Sequence, residues 1–130
     1  MKDMLEALKE KVPQHFLQRE LDDLGCGDGR ITLILKEIFQ PRTLRAFDVN
    51  TSLVKRARNR GIPAEVCDLE NNLPGGELAV LWGVLHHLCD AENCIQKINS
   101  NYHMAFIREP IKDKLIKGWE MGDPIDKEKM

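Results

Sequence analysis

The sequence lacks the apolar runs and the cysteine spacings that would assign it to several common classes of protein. Its longest apolar run, residues 78–85, is well short of the roughly 18 residues that span a membrane. Four cysteines are present, but none has the C-x-x-C spacing of a zinc site, so we expect no metal. We expect free, mostly buried thiols in a reducing cytoplasm instead. The cysteines are Cys26, Cys67, Cys89 and Cys94.

An excess of positive charge is also missing. The chain has 19 lysines and arginines against 21 aspartates and glutamates, which gives no general attraction to nucleic acid. Acidic residues interrupt the amphipathic N-terminal pattern, unlike in a signal peptide. With 130 residues, 42% of them hydrophobic, we expect a single globular domain. Its parts would be an N-terminal helix and lead-in (1–18), a core (19–110) and a C-terminal helix and tail (111–130).

Five predicted strands alternate with predicted helices. This alternation favours an α/β fold, a doubly wound, mostly parallel, Rossmann-like sheet of about five strands with helices on both faces. The strand at residues 78–82 is continuously apolar, which indicates the centre of the sheet. From residue 120 onward the pattern predicts a loose tail. The strands are predicted at 19–24, 43–48, 64–67, 78–82 and 104–107, and the helices at 3–12, 28–39, 51–60 and 90–98. Thr51 or Ser52 is the predicted N-cap of the third of these helices.

A glycine turn follows the first strand, with glycines at positions 25, 27 and 29. Glycine lets the backbone approach a ligand closely, and the helix that follows offers unpaired N–H groups and a partial positive charge. The turn therefore predicts a nucleotide-type cofactor site. Asp48, Asp68 and the segment after Trp82 also follow predicted strands, so they would lie at the carboxyl edge, where ligands of such sheets bind. Asp22, in contrast, makes the first strand unusually polar.

Two common nucleotide motifs do not fit this turn. The dinucleotide fingerprint G-x-G-x-x-G needs a third glycine at position 30, where the chain has Arg30. A Gly-Lys-Ser or Gly-Lys-Thr sequence, as in a phosphate-binding Walker A loop, occurs nowhere. A dinucleotide-binding protein is therefore disfavoured.

Four segments, in this order and spacing, resemble the class I S-adenosylmethionine (SAM) dependent methyltransferases. Residues 23–29, Asp-Leu-Gly-Cys-Gly-Asp-Gly, are similar to the first motif of the family, and residues 46–48, Ala-Phe-Asp, to its second-strand acid. Residues 66–69, Val-Cys-Asp-Leu, are similar to its third-strand acid. Residues 82–88, Trp-Gly-Val-Leu-His-His-Leu, resemble the fourth-strand motif of the small-molecule branch, which includes quinone-pathway C-methyltransferases. The resemblance covers about residues 18–110.

The resemblance implies which residues hold the amino acid end of SAM. The backbone of Gly25 and Gly27 would touch the methionyl portion, and Asp23 would help to hold its ammonium group. Trp82 and Gly83 would border the same side of the ligand. Cys26 belongs to the same cofactor-binding turn, where its small side chain fits.

The resemblance also implies residues for the nucleoside end. Asp48 would accept hydrogen bonds from both ribose hydroxyls, and Val49 would lie against the adenine. Asp68 would accept from the exocyclic amine, and the backbone N–H of Leu69 would donate to the ring. Two alternatives remain, since Asp48 could instead cap the next helix and Asp68 could be an ordinary turn residue.

The reaction implied is methyl transfer from SAM to a small-molecule acceptor, leaving S-adenosylhomocysteine (SAH). His86 and His87 follow the central strand, where the acceptor would approach, and one of them would act as a base. The alternative is that both histidines orient the loop or face solvent. The cluster Lys55, Arg56, Arg58 and Arg60 lacks flanking aromatic residues, so we interpret it as a solvated helix face and consider a nucleic-acid partner unlikely.

The chain departs from the family after residue 110, where the two last strands of the family fold are not evident. An uncovered fifth-strand edge would favour a homo-oligomer or a protein partner. The chain could also be a natural minimal form or a fragment. The leading hypothesis is an enzyme, and the rival is a non-catalytic, methyltransferase-like module that binds SAM or a partner.

Overall fold

The structure, a computed structural model, describes residues 9–84 and 90–108 with their side chains and residues 124–126 as backbone. It contains a six-stranded sheet in the order β3-β2-β1-β4-β5-β6, in which β1 to β5 pair in parallel and β6 is antiparallel to β5. The strands are β1 Glu20–Leu24, β2 Thr43–Asp48, β3 Ala64–Val66, β4 Gly76–Trp82, β5 Tyr102–Arg108 and β6 Pro124–Asp126. The helices are α1 Arg30–Phe39, α2 Thr51–Asn59 and α3 Ala91–Asn101, preceded by a 3₁₀ turn at Gln14–Phe16.

The helices cover both faces of the sheet, which confirms the predicted doubly wound α/β fold. Strand β4 shows this most directly, because its side chains alternate between two cores. Leu78 and Val80 pack in the core that contains α1, and Ala79 and Leu81 pack in the core that contains α3. All four side chains are fully buried, as the continuous apolar run predicts for a central strand.

The strand order reverses between β1 and β4, the two central neighbours of the sheet. Such a switch point opens a crevice at the carboxyl ends of the strands, because the following connections leave in opposite directions. The glycine turn follows β1 at this edge. The fold therefore places the turn where a ligand site is expected.

Buried Asp22 has partners that the sequence did not reveal. Its side chain is 5% exposed, and Arg45 of β2 donates from Nε to Oδ1 at 2.8 Å and from Nη2 to Oδ2 at 2.5 Å. The hydroxyl of Tyr102, at the start of β5, donates to Oδ2 at 2.6 Å. The polar residue in β1 is therefore paired on both oxygens.

Two local predictions need correction. Helix α2 begins with Asn50 as its N-cap, whose side chain accepts from the N–H of Leu53 at 3.1 Å, so neither Thr51 nor Ser52 is the cap. The tail was expected to be loose, but residues 124–126 form β6 and pair with Met104, Ala105 and Phe106 of β5. Strand β6 thus occupies the edge that was expected to be uncovered.

Several other predictions fall outside the described residues. Residues 9–11 are helical, but residues 1–8 of the predicted N-terminal helix are not described. The same holds for His86 and His87, within 85–89, and for the predicted helix at 111–119. Among the described helices, none is long and apolar enough to cross a membrane.

Candidate functional site

The glycine turn is held against the carboxyl end of β2 by backbone hydrogen bonds. The N–H groups of Gly25 and Cys26 both donate to the carbonyl of Phe47, at 2.7 and 2.9 Å. Gly25, Gly27 and Gly29 have φ angles of 89°, 57° and 90°, in the left-handed region that other residues rarely adopt. The three glycines are therefore required by the shape of the turn.

Asp48 fixes the same turn through its side chain. Its Oδ2 accepts from the N–H of Gly27 at 2.9 Å, and its Oδ1 accepts from the N–H of Asn50 at 2.9 Å. A carboxylate has about four acceptor positions, so two bonds leave both oxygens able to accept further donors. Because Asn50 caps α2, the alternative role of Asp48 as the helix cap is wrong.

Asp23 has one bonded and one unbonded carboxylate oxygen. The residue is 1% exposed, and Thr32 of α1 donates from Oγ1 to its Oδ2 at 2.6 Å. Its Oδ1 is buried and has no hydrogen-bond partner among the described residues. Burial raises the pKa of Asp23 to about 7; the bond from Thr32 opposes the shift and the nearby Asp48 carboxylate adds to it.

A cavity of about 470 Å³ opens beside the turn, within the usual range for a small-molecule site. Five residues predicted from the sequence line it, namely Asp23, Gly25, Cys26, Gly27 and Trp82. Four further lining residues, Asp28, Arg30, Ile31 and Leu53, were not predicted as site residues. Ile31 and Leu53 carried only the signal of helical apolar positions, which does not distinguish a core residue from a cavity wall.

The acid and the thiol of the turn have different electrostatic surroundings. Asp28 accepts from the N–H of Arg30 at 3.1 Å, and this bond is the main reason why its pKa lies below the ordinary value. Arg30 also pairs with it through Nε at 2.9 Å. Burial, followed by the Asp23 and Asp48 carboxylates, raises the pKa of Cys26 to about 12, so this residue remains a neutral thiol.

The remaining predicted cofactor residues are not among the residues that line this cavity. Asp68 accepts from the N–H of Glu70 at 3.1 Å and the side-chain amide of Asn71 at 2.6 Å, so it has the bonding of a turn residue. The side chain of Leu69 is buried in the core, whereas Val49 is 67% exposed. The N–H of Gly83 donates to the carbonyl of Arg108 at 2.8 Å.

Sequence comparison assigns this site to a family. A profile described as a methyltransferase domain matches residues 23–100, which include the glycine turn, Asp48, Asp68 and Trp82. The match covers more than half of the chain. The chain therefore belongs to the class I SAM-dependent methyltransferases.

Individual relatives share parts of this domain. A trans-aconitate 2-methyltransferase from Mycolicibacterium gilvum is 31% identical over 86 residues, which are 65% of this chain and 32% of the relative. A probable tRNA methyltransferase 9B from Homo sapiens is 34% identical over 117 residues, which are 83% of this chain and 24% of the relative. The chain thus spans about a third of the first relative and a quarter of the second.

A solved structure shows the same fold. The plantazolicin methyltransferase BpumL in complex with SAH superimposes with a TM-score of 0.67 at 13% identity, over 87% of this chain and 49% of that one. SAM is the methyl donor of the family. The residues present here suit that molecule, because the unbonded Asp23 Oδ1 lacks the donor that an ammonium group provides, and the glycine turn leaves the backbone accessible beside it.

Proposed function

We propose that the protein is a methyltransferase that transfers the methyl group of SAM to a small-molecule acceptor. The observation that carries the proposal is the unbonded oxygen of buried Asp23, a residue that is among those lining the cavity at the glycine turn of a family domain. An unpaired buried acceptor is costly unless a ligand satisfies it. SAM, when bound, supplies an activated methyl group, and the chain supplies position and a dry pocket.

Each end of SAM has candidate partners in the chain. Asp23 would bind the ammonium group, with the backbone of Gly25 and Gly27 beside the methionyl portion. Asp48 would accept from the ribose hydroxyls, which its two free acceptor positions support. The bonds that the Asp48 carboxylate accepts from backbone N–H groups would also fix the ribose-binding carboxylate relative to the glycine turn.

The other cofactor assignments remain part of the proposal. Exposed Val49 would lie against the adenine, since it is an apolar side chain with 67% of its surface uncovered. Asp68 and the N–H of Leu69 would bind the adenine edge. Trp82 and Gly83 would border the methionyl side, which the position of Trp82 at the cavity supports.

For the acceptor we propose an acidic small molecule. Arg108 ends β5 opposite Trp82, and its guanidinium carbon lies 5.1 Å from the centre of the Trp82 ring. Within residues 9–84 and 90–108, no carboxylate lies within ion-pairing distance of this half-buried cation. An acidic acceptor would supply that anion, and the similarity to a trans-aconitate methyltransferase supports it. His86 or His87 would serve as the base.

A tRNA acceptor is the second candidate, favoured by the similarity to tRNA methyltransferase 9B. The exposed basic face of α2 is the surface it would use. Two of its arginines are engaged with backbone carbonyls, Arg58 with Ala64 at 2.7 Å and Arg60 with Asp28 at 3.0 Å. These bonds occupy one donor of each guanidinium and hold both side chains against the protein, so fewer donors are free for a phosphate backbone, and we favour the small molecule.

Calorimetric titration with SAM and SAH tests the cofactor site. We expect the wild type to bind both, and Asp48→Asn to lose at least about tenfold in affinity, because one charge-assisted acceptor is worth about 1.5–3 kcal/mol. Asp90→Asn is the matched control, since this acid only caps α3. Failure of the wild type to bind either ligand would refute the proposal.

Turnover separates the enzyme from the non-catalytic module. With trans-aconitate as the trial acceptor, we expect methyl transfer that falls in His87→Ala while SAH affinity stays unchanged. SAM binding without transfer to acidic small molecules or to tRNA would favour the binding module. Sedimentation velocity tests the predicted partner or self-association, which a monomer at high concentration would contradict. The pairing of β6 with β5 already removes the uncovered edge on which that prediction was based.

A further inference from the structure

We propose that Thr32 is a positioning residue, which holds Asp23 with one oxygen bonded and the other free, so that the site binds a ligand with an ammonium group and releases a proton as it does so. This inference rests on the proposed SAM site. It adds a residue to that site, and it adds a selection rule for the ligand.

Thr32 occupies a position where a hydroxyl is unexpected. It is 0% exposed and lies on the buried face of α1 with Leu35, Ile38 and Phe39. A buried helical threonine commonly donates to the carbonyl four residues earlier, which here is that of Asp28. Thr32 donates to Asp23 Oδ2 instead, at 2.6 Å, so its hydroxyl serves the acid and not its own helix.

This bond determines which oxygen of Asp23 remains available. A hydroxyl has a single proton to donate, so Thr32 satisfies Oδ2 and leaves Oδ1 unbonded. The residue that carries this free acceptor is itself one of those that line the cavity. Without Thr32, both oxygens would be unbonded, and no hydrogen bond would distinguish one from the other.

Burial, with a smaller contribution from the Asp48 carboxylate, leaves the carboxyl group of Asp23 about half protonated near pH 7 when no ligand is bound, because its pKa is raised to about 7. Asp48 approaches from β2, and the turn contributes the neutral Cys26 thiol and Asp28, whose charge is paired with Arg30. The neighbouring strand β4 contributes Val80, which is apolar. An ammonium group would be a cation at Oδ1, so its binding would favour the carboxylate and send the Asp23 proton to solvent.

Two ligands separate this linkage from general effects of pH. SAH carries the ammonium group, whereas 5′-methylthioadenosine has the same nucleoside without the amino acid end. For the wild type we expect the affinity for SAH to rise about tenfold between pH 6 and pH 8, as binding linked to one proton with a pKa near 7 requires. We expect no such rise for methylthioadenosine.

Variants of Thr32 test the positioning role. In Thr32→Val the Asp23 carboxyl group, followed by its ¹³C shift in the ligand-free protein, should titrate at higher pH than in the wild type, and SAH should bind less tightly at pH 7. Thr32→Ser, which retains the hydroxyl, should restore both values. Thr51→Val is the control, because this exposed residue starts α2 and makes no bond to Asp23.

The outcomes are distinguishable. Equal SAH affinity at pH 6 and pH 8, or an equal rise for methylthioadenosine, would overturn the proton linkage while the SAM site stands. Thr32→Val with an unchanged Asp23 titration would overturn the positioning role. If the wild type binds neither ligand, the proposed function fails and this inference fails with it.

Discussion

Replacing Arg45 with Met should lower the free energy of unfolding by about 3 kcal/mol, which would be a large fraction of the stability of a chain of this size. Both oxygens of Asp22 accept from Arg45, at 2.8 and 2.5 Å, and the Asp22 side chain is only 5% exposed. Removing one partner of a buried pair costs about 3–5 kcal/mol because a charge is left unpaired. We expect a cost at the lower end of this range, since the Arg45 side chain is 51% exposed and water can replace part of its interaction with Asp22.

Tyr102 provides a second test of the free energy that pairing of the buried Asp22 carboxylate contributes. Its hydroxyl donates to Asp22 Oδ2 at 2.6 Å, so Tyr102→Phe should cost about 2 kcal/mol, as for a hydrogen bond to a charged group. In the Arg45→Met background this hydroxyl is the remaining donor that the structure gives Asp22. The double variant should therefore lose at least about 0.5 kcal/mol more than the sum of the single variants.

Urea unfolding followed by circular dichroism at pH 7 gives these free energies. Arg42→Met is the matched control, because Arg42 forms an exposed ion pair with Glu77 at 2.8 Å, which is worth about 0–1 kcal/mol. Adding Asp22→Leu to Arg45→Met should recover most of the loss, since it removes the unpaired charge. Equal losses for Arg45→Met and Arg42→Met would refute the reasoning.

Three further predictions concern the turn and the site. In thermal unfolding, Gly29→Ala should cost about 3 kcal/mol and Gly61→Ala about 1 kcal/mol, and equal costs would contradict this expectation. The two glycines have similar φ angles, 90° and 87°, but a Cβ added at Gly29 would overlap Ile62, whereas one added at Gly61 would meet nothing within 4 Å. Between pH 4 and pH 8, the free energy of unfolding of the ligand-free wild type should fall by about 4 kcal/mol more than that of Asp23→Asn, and parallel pH profiles would contradict this expectation. A carboxyl pKa raised from 3.8 to about 7 on folding stabilises the folded state at low pH, and this contribution is lost as the pH rises through 7. Asn50→Ala should cost about 1 kcal/mol in urea unfolding through loss of the α2 cap, whereas an unchanged midpoint would show that this cap contributes nothing.

The sequence predicted the parts of the fold that depend on local pattern. The apolar run at 78–82 identified β4, and the glycine spacing identified the turn, because both signals arise from neighbours in the chain. The helix cap was missed because Asn50, Thr51 and Ser52 are all good caps, and only the backbone path selects one of them.

Tertiary placement explains the other differences. Residues 124–126 have no alternating pattern, and they become a strand through pairing with β5. Such pairing depends on where the edge of the sheet lies in the folded protein, and a local sequence pattern does not contain that information. Ile31 and Leu53 likewise line the cavity because two helices begin beside the turn, and their sequence positions are those of ordinary apolar helix residues.

The two adjacent acids of β1 show why polarity in this strand is compatible with a buried sheet. Successive side chains of a strand point to opposite faces, so Asp22 and Asp23 enter different surroundings. Asp22 meets Arg45 and Tyr102, which bond both of its oxygens and make it part of the framework. Asp23 meets Thr32 and the cavity, which leaves one oxygen unbonded. The hydrogen bonds of the first acid are thus complete within the fold, and the second acid keeps the unbonded oxygen at which we propose that the ammonium group of SAM binds.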